Sequence, residues 1–206
     1  ELKVNENVYY FKQANSLAKP MKILFITYMF PPFNAIGAVR TGKTAKLLTE
    51  FGNDVKIVAC SNQTLSQDLS LEIAEQNIQY TNWINVNSPI EFVLGGKKKV
   101  ATKGYLPSSN HLPNWIQKLG YLYRHLVNFP DGQIGWYPFA MKAGNRLISK
   151  WFPDLIFASA SPFTTLLVAS ALSRKHNIPW IAELRDLWSD NHNFIGPTWR
   201  QLLERK

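Results

Sequence analysis

Lys22-Ile23-Leu24-Phe25-Ile26-Thr27-Tyr28 and Asp54-Val55-Lys56-Ile57-Val58-Ala59 are the two runs whose reading decides the fold. Both are short, apolar and rich in β-branched residues, as strands buried on both faces are. Between them, Ala38 to Phe51 places Val39, Ala45, Leu47, Leu48 and Phe51 at helical spacing, and Gly52-Asn53 ends the helix. A buried strand, a helix and a second buried strand form the βαβ unit of a parallel sheet.

Working outward, the last third repeats the pattern. Asp154-Leu155-Ile156-Phe157-Ala158 reads as a strand, Ser159-Ala160-Ser161-Pro162 as a turn, and Phe163 to His176 as a helix. Ile178-Pro179-Trp180-Ile181-Ala182-Glu183-Leu184 reads as the next strand, followed by Arg185-Asp186-Leu187-Trp188. A further strand is expected near Ile78–Ile84. Residues 85–114 look irregular, with Gly95-Gly96, Lys97-Lys98-Lys99 and prolines at 89, 107 and 113. Trp115, Ile116, Leu119, Leu122, Tyr123, Leu126 and Val127 then fall on one helical stripe. The loop Phe129-Pro130-Asp131-Gly132 leads to a longer helix ending near Phe152. The expected class is α/β, a Rossmann-like parallel sheet with flanking helices.

Composition bounds the function. Of the 206 residues, 46% are hydrophobic and 18% charged, which argues against a disordered chain. The lone Cys60 excludes an internal disulfide and fits a reducing compartment. No run of about 18 apolar residues is present, so no spanning helix is expected. These features point to a cytoplasmic protein, soluble or held at a membrane surface. The net charge of +9 suits an anionic partner without choosing among nucleic acid, lipid and phosphorylated substrate. Residues 1–20 read as an N-terminal extension and 21–206 as the domain.

Gly37-Ala38-Val39-Arg40-Thr41-Gly42-Lys43-Thr44 satisfies G-x-x-x-x-G-K-[ST], the phosphate loop of nucleotide hydrolases. Its context is wrong: Met29 to Ile36, with two prolines, separate it from the first strand. No later strand ends in the aspartate that would hold magnesium. A P-loop hydrolase is therefore the lesser alternative, and a basic nucleic-acid-binding module a weaker one; no nucleic-acid partner is expected.

Three loops at the C-terminal ends of the expected strands carry unusual residues: 29–40, 159–162 and 185–192. In an open α/β sheet ligands bind at that edge. Phe30-Pro31-Pro32 with Ile36-Gly37-Ala38-Val39-Arg40 resembles the first-strand loop of bacterial family-4 glycosyltransferases of the GT-B fold. Pro130-Asp131-Gly132-Gln133-Ile134-Gly135-Trp136 is similar to a P-D-x-x-x-x-W segment of that group. Ser159-Ala160-Ser161-Pro162-Phe163 is similar to its S-x-P-P turn, and residues 178–188 to its I-P-W-I-x-D-x-R-D-x-W signature.

The resemblance implies the N-terminal, acceptor-side half of a retaining, metal-independent glycosyltransferase. Such enzymes make surface polysaccharide or glycolipid on a glycan or lipid-linked acceptor. The nucleotide-sugar donor would be held mainly by a C-terminal domain that these residues do not include, and the chain is expected to be inactive alone. No other cofactor and no metal are implied.

Asp186 is the candidate for contacting an acceptor hydroxyl. Arg185 stands where many relatives have histidine; because a guanidinium does not give up its proton, no catalytic base is assigned. Phe30, Gly37, Arg40, Ser159, Ser161, Arg185, Trp188, Asp131 and Trp136 are candidates for acceptor or phosphate binding. Each has a plainer reading: Gly37 as a loop glycine, Arg40 as a solvated helix residue, Arg185-Asp186 as an ion pair, Trp188 as packing. Ser159 and Ser161 would then cap a helix, and Asp131 and Trp136 cap and anchor the next one. Residues 88–129 carry Lys97, Lys98, Lys99, Lys103, Lys118 and Arg124 against Glu91, interleaved with aromatics. That pattern suits the anionic inner face of a membrane, unless the helix buries its stripe in the domain.

Overall fold

The structure is a computed structural model, and it describes residues 19–61, 63–88 and 114–184. Five strands form one parallel sheet: β1 (Lys22–Thr27), β2 (Asp54–Cys60), β3 (Ile78–Thr81), β4 (Leu155–Ala160) and β5 (Trp180–Leu184). Their order is β3-β2-β1-β4-β5. Four helices accompany them: α1 (Ile36–Glu50), α2 (Asn114–Val127), α3 (Tyr137–Trp151) and α4 (Thr164–His176). This is the Rossmann-like α/β arrangement, with its topological switch between β1 and β4.

Alternation along β1 distributes the core. Ile23 and Phe25 face α1, packing with Ala45 and with Val55, Ile57 and Ala59 of β2. Leu24 and Ile26 face the other way, against Ala140, Ala143 and Ile148 of α3 and Leu166, Val168, Ala169 and Leu172 of α4. Nearly all these side chains are fully buried, and each contributes roughly 1.5–3 kcal/mol by leaving water.

Helix α1 stops as its sequence dictates. Gly52 takes a φ of 84°, a left-handed conformation that costs glycine little, and its N–H reaches the Thr49 carbonyl. The same end of the sheet is tied down by side chains. The Lys22 N–H donates to Asp154 at 2.8 Å and the Trp151 indole to Asp54 at 2.8 Å.

Three boundaries differ from the sequence reading, and two of them matter for the site. Helix α1 begins at Ile36, so Gly37 lies inside its first turn and not in a loop. Strand β4 runs on to Ala160 because Ser159 pairs in register with Thr27 on one side and Glu183 on the other. Strand β3 ends at Thr81, short of the expected Ile84. The expected extension before residue 19, most of the basic segment, and everything after Leu184 lie outside the described residues.

Candidate functional site

The switch between β1 and β4 opens at the C-terminal edge of the sheet, and its two faces are built differently. On the α3–α4 face most polar groups are matched, the buried Thr165 hydroxyl of α4 excepted. Asp131 accepts from the Thr164 N–H at 2.8 Å, the Thr164 hydroxyl at 2.6 Å and the Gln133 N–H at 3.0 Å. It thereby caps α4 from a loop 33 residues earlier, which corrects the expectation that it caps the next helix. Trp136 is fully buried, donates its indole N–H to the Thr81 hydroxyl at 2.7 Å, and meets Tyr28 edge-on. Burial pushes the Tyr28 hydroxyl far above the usual tyrosine range, so it stays protonated.

Two binding candidates are therefore structural: Asp131 is a cap and Trp136 is core. Phe30 is also core, buried against Phe25 and Ile57. Phe30 and Trp136 sit in loops by sequence, yet their side chains turn inward because apolar area is worth more buried, whereas Asp131 is held by its donors on Gln133 and Thr164.

On the α1 face the same edge carries Thr27, Ser159 and Glu183, in register on β1, β4 and β5. Side chains in register on parallel strands share a face, so the three form a row across the sheet. Thr27 and Thr41 are both satisfied, each donating to the Met29 carbonyl, at 3.0 and 2.7 Å. This double bond fixes the loop after β1 against the start of α1.

Arg40 reaches from α1 across to β5. Its Nε donates to Glu183 Oε1 at 2.8 Å, and a second guanidinium nitrogen contacts the same oxygen. Arg40 is therefore an ion-pair partner, not a free cation awaiting phosphate. Ser159 is only 2% exposed, and its hydroxyl has no hydrogen-bond partner in the structure. Glu183 Oε2 is likewise buried and unpartnered. Buried polar atoms are almost always bonded, and these two unpartnered ones fall on adjacent in-register residues.

Ser161 lies one residue beyond β4, half-buried, in the turn that leads into α4. Gly37 is buried in α1. Arg185, Asp186 and Trp188 lie outside the described residues. Thus Arg40 and Ser159 come together with Thr27 and Glu183, while Phe30, Asp131 and Trp136 do not join them. Glu183 escaped the sequence reading, although one signal was present: it is the sole charged residue in a strand expected to be buried on both faces.

The Walker-like segment is wholly helical. Gly37 to Thr44 all belong to α1, so no loop is left to wrap a phosphate. Lys43 instead pairs with Glu72 at 2.5 Å, and its hydrogen bond holds that carboxyl below the usual range. Gly42 has a packing role: a Cβ there would lie 2.8 Å from Pro31 Cγ. The P-loop alternative falls on these grounds. Among the described residues no group of three or more His, Cys, Asp or Glu side chains is placed to hold a metal.

No protein-family model matches the chain, and no curated protein matches it. Among solved structures it is similar to the C-terminal domain of a hydrogenase from Pyrococcus furiosus. Identity is 15% over 81% of this chain and 97% of that one, with a TM-score of 0.42. A second structure of that domain gives 14% identity, 81% and 96% coverage, and a TM-score of 0.40.

Proposed function

We propose that this chain is the acceptor-side domain of a retaining glycosyltransferase that builds surface polysaccharide or glycolipid on a glycan or lipid-linked acceptor. The observation that carries the reading is the row Thr27, Ser159 and Glu183 with Arg40 at the sheet switch. Three of the four sequence blocks that resemble family-4 glycosyltransferases supply these groups or flank them. The fourth, around Asp131 and Trp136, braces the β4–α4 turn from behind. In this reading the domain positions an acceptor hydroxyl, and a separate donor domain brings the nucleotide-sugar. Arg185 and Asp186, next in sequence after Leu184, are the further candidates for meeting the acceptor.

The test is to express the full-length gene product and to assay sugar transfer from a panel of nucleotide-sugars. Transfer that persists in a chelator is expected. Absence of transfer, with magnesium-dependent ATP or GTP hydrolysis lost in Lys43→Ala, would return the protein to the nucleotide hydrolases.

A second feature bears on where the acceptor is met. Trp115, Leu119, Leu122 and Leu126 recur along one line of α2, and all four are exposed, Trp115 at 67% and Leu126 at 58%. The other flank turns inward, with the Tyr123 hydroxyl donating to the Val86 carbonyl at 2.9 Å. Such a stripe, in a segment with six basic residues and one acid, fits the surface of an anionic bilayer. Among the described residues no helix is long and apolar enough to cross a membrane. Cosedimentation with phosphatidylglycerol vesicles is expected for the native chain and lost in Trp115→Ser with Leu122→Ser. Equal sedimentation of both proteins would refute the surface contact.

A further inference from the structure

We propose that Ser159 and Glu183 form a subsite for a neutral, hydroxyl-bearing ligand, a sugar ring presenting adjacent hydroxyls, and that Arg40 positions the carboxylate without binding the ligand. The inference deepens the reading above, from which it takes only that the ligand is a glycan. The geometry itself stands on the two buried, unpartnered atoms.

The chemistry of those atoms selects the ligand. A carboxylate oxygen only accepts hydrogen bonds, so the group opposite Glu183 Oε2 must donate. A serine hydroxyl both donates and accepts, so Ser159 can serve the oxygen of a neighbouring hydroxyl. Ser159 and Glu183 are in register on adjacent parallel strands, at the spacing of neighbouring strands, roughly 4.8 Å. Vicinal sugar hydroxyls, about 2.8 Å apart, can bridge two such side chains.

Charge excludes the obvious rival. Arg40 beside a helix N-terminus invites a phosphate. Here, however, both guanidinium contacts go to Glu183 Oε1, and the pair is neutral as a whole. A phosphate placed at Ser159 would approach the free carboxylate oxygen and be repelled. A cationic amine would gain little, because Arg40 already balances Glu183. A neutral donor is what remains.

Arg40 acts through Glu183. By holding Oε1 it fixes the carboxylate on β5, and its loss frees the carboxylate to rotate. Thr27, the third member of the row, is occupied by the Met29 carbonyl and contributes shape only.

The 206-residue chain, uniformly labelled with nitrogen-15, is titrated with methyl glycosides of glucose, galactose and mannose, and separately with inorganic phosphate. At least one glycoside is expected to move the amide signals of Ser159, Ala160 and Glu183 at millimolar concentrations. Ser159→Ala and Glu183→Gln should each weaken that glycoside by about tenfold or more, the loss of one buried hydrogen bond to a polar or charged group. Thermal melting of both variants should match the native chain. Lys43→Ala, outside the subsite, should leave binding unchanged.

Failure of every glycoside to move these signals overturns the proposal, as does glycoside binding that survives both substitutions. Phosphate binding at Ser159 that is lost in Arg40→Ala also overturns it, and makes the site an anion site. Glycoside binding elsewhere on the domain would sink the subsite while leaving the glycosyltransferase reading in place.

Discussion

The two sides of the β1–β4 switch make opposite use of the same kinds of residue. On the α3–α4 side, Asp131 pairs with Thr164 and Trp136 with Thr81, and of the buried hydroxyls of α4 Thr165 alone has no partner. On the α1 side, a few residues away along the same strands, Ser159 and Glu183 leave an oxygen each without a partner. A polar group buried unpaired costs about 1–3 kcal/mol. On the proposed reading, the difference separates groups that serve the fold from groups that serve a ligand, inside loops that look alike in sequence.

The comparison can be broken most severely at Trp136. Trp136→Ala should remove about 3–5 kcal/mol by emptying a fully buried site and removing the indole's bond to the Thr81 hydroxyl. Urea unfolding would show it, and a loss below about 1 kcal/mol would mean the indole is not core. Gly135→Ala comes next. Its Cβ would lie 1.9 Å from the Ile84 carbonyl oxygen, a backbone atom that cannot swing aside. A loss of about 3 kcal/mol or more is expected, read as a lowered melting temperature.

Asp131→Ala should cost about 1–2 kcal/mol, the worth of a helix cap, with amide exchange quickening at Thr164. Tyr80→Phe is smaller, roughly 1 kcal/mol, since it removes one hydrogen bond to the Pro31 carbonyl. Its signature is in pH. Burial, helped by Glu75, pushes the Tyr80 hydroxyl up to about 12 from 10. The folded state holds that proton more tightly than the unfolded chain, so the contribution is full below pH 10 and fades as pH rises to 12. Stability curves of the native and Tyr80→Phe chains should therefore converge above pH 10. Parallel curves would show that the hydroxyl does not titrate differently on folding.

Much of this fold was legible because the signals are local. The runs at 22–28 and 54–59, the helical spacing after Phe163 and the glycine at 52 each state their own conformation. The site was less legible because its pairings are long-range. Nothing near Arg40 announces a partner 143 residues away in β5. Nor does the Asp131 loop reveal that its carboxylate caps a helix beginning at Thr164. Phe30 and Trp136 read as binding residues because an aromatic in a loop sequence has no periodicity to say which way it points. Ser159 reads from sequence as part of a turn; only the register with Thr27 and Glu183 puts it in the strand.

The sharpest measurement sets Ser159→Ala beside Asp131→Ala in equilibrium urea unfolding without ligand. If the α1 side is kept for a ligand, Ser159→Ala stays within about 0.5 kcal/mol of the native chain, or exceeds it, while Asp131→Ala falls. If Ser159→Ala loses as much as Asp131→Ala, the hydroxyl serves the fold after all, and the contrast between the two sides is contradicted.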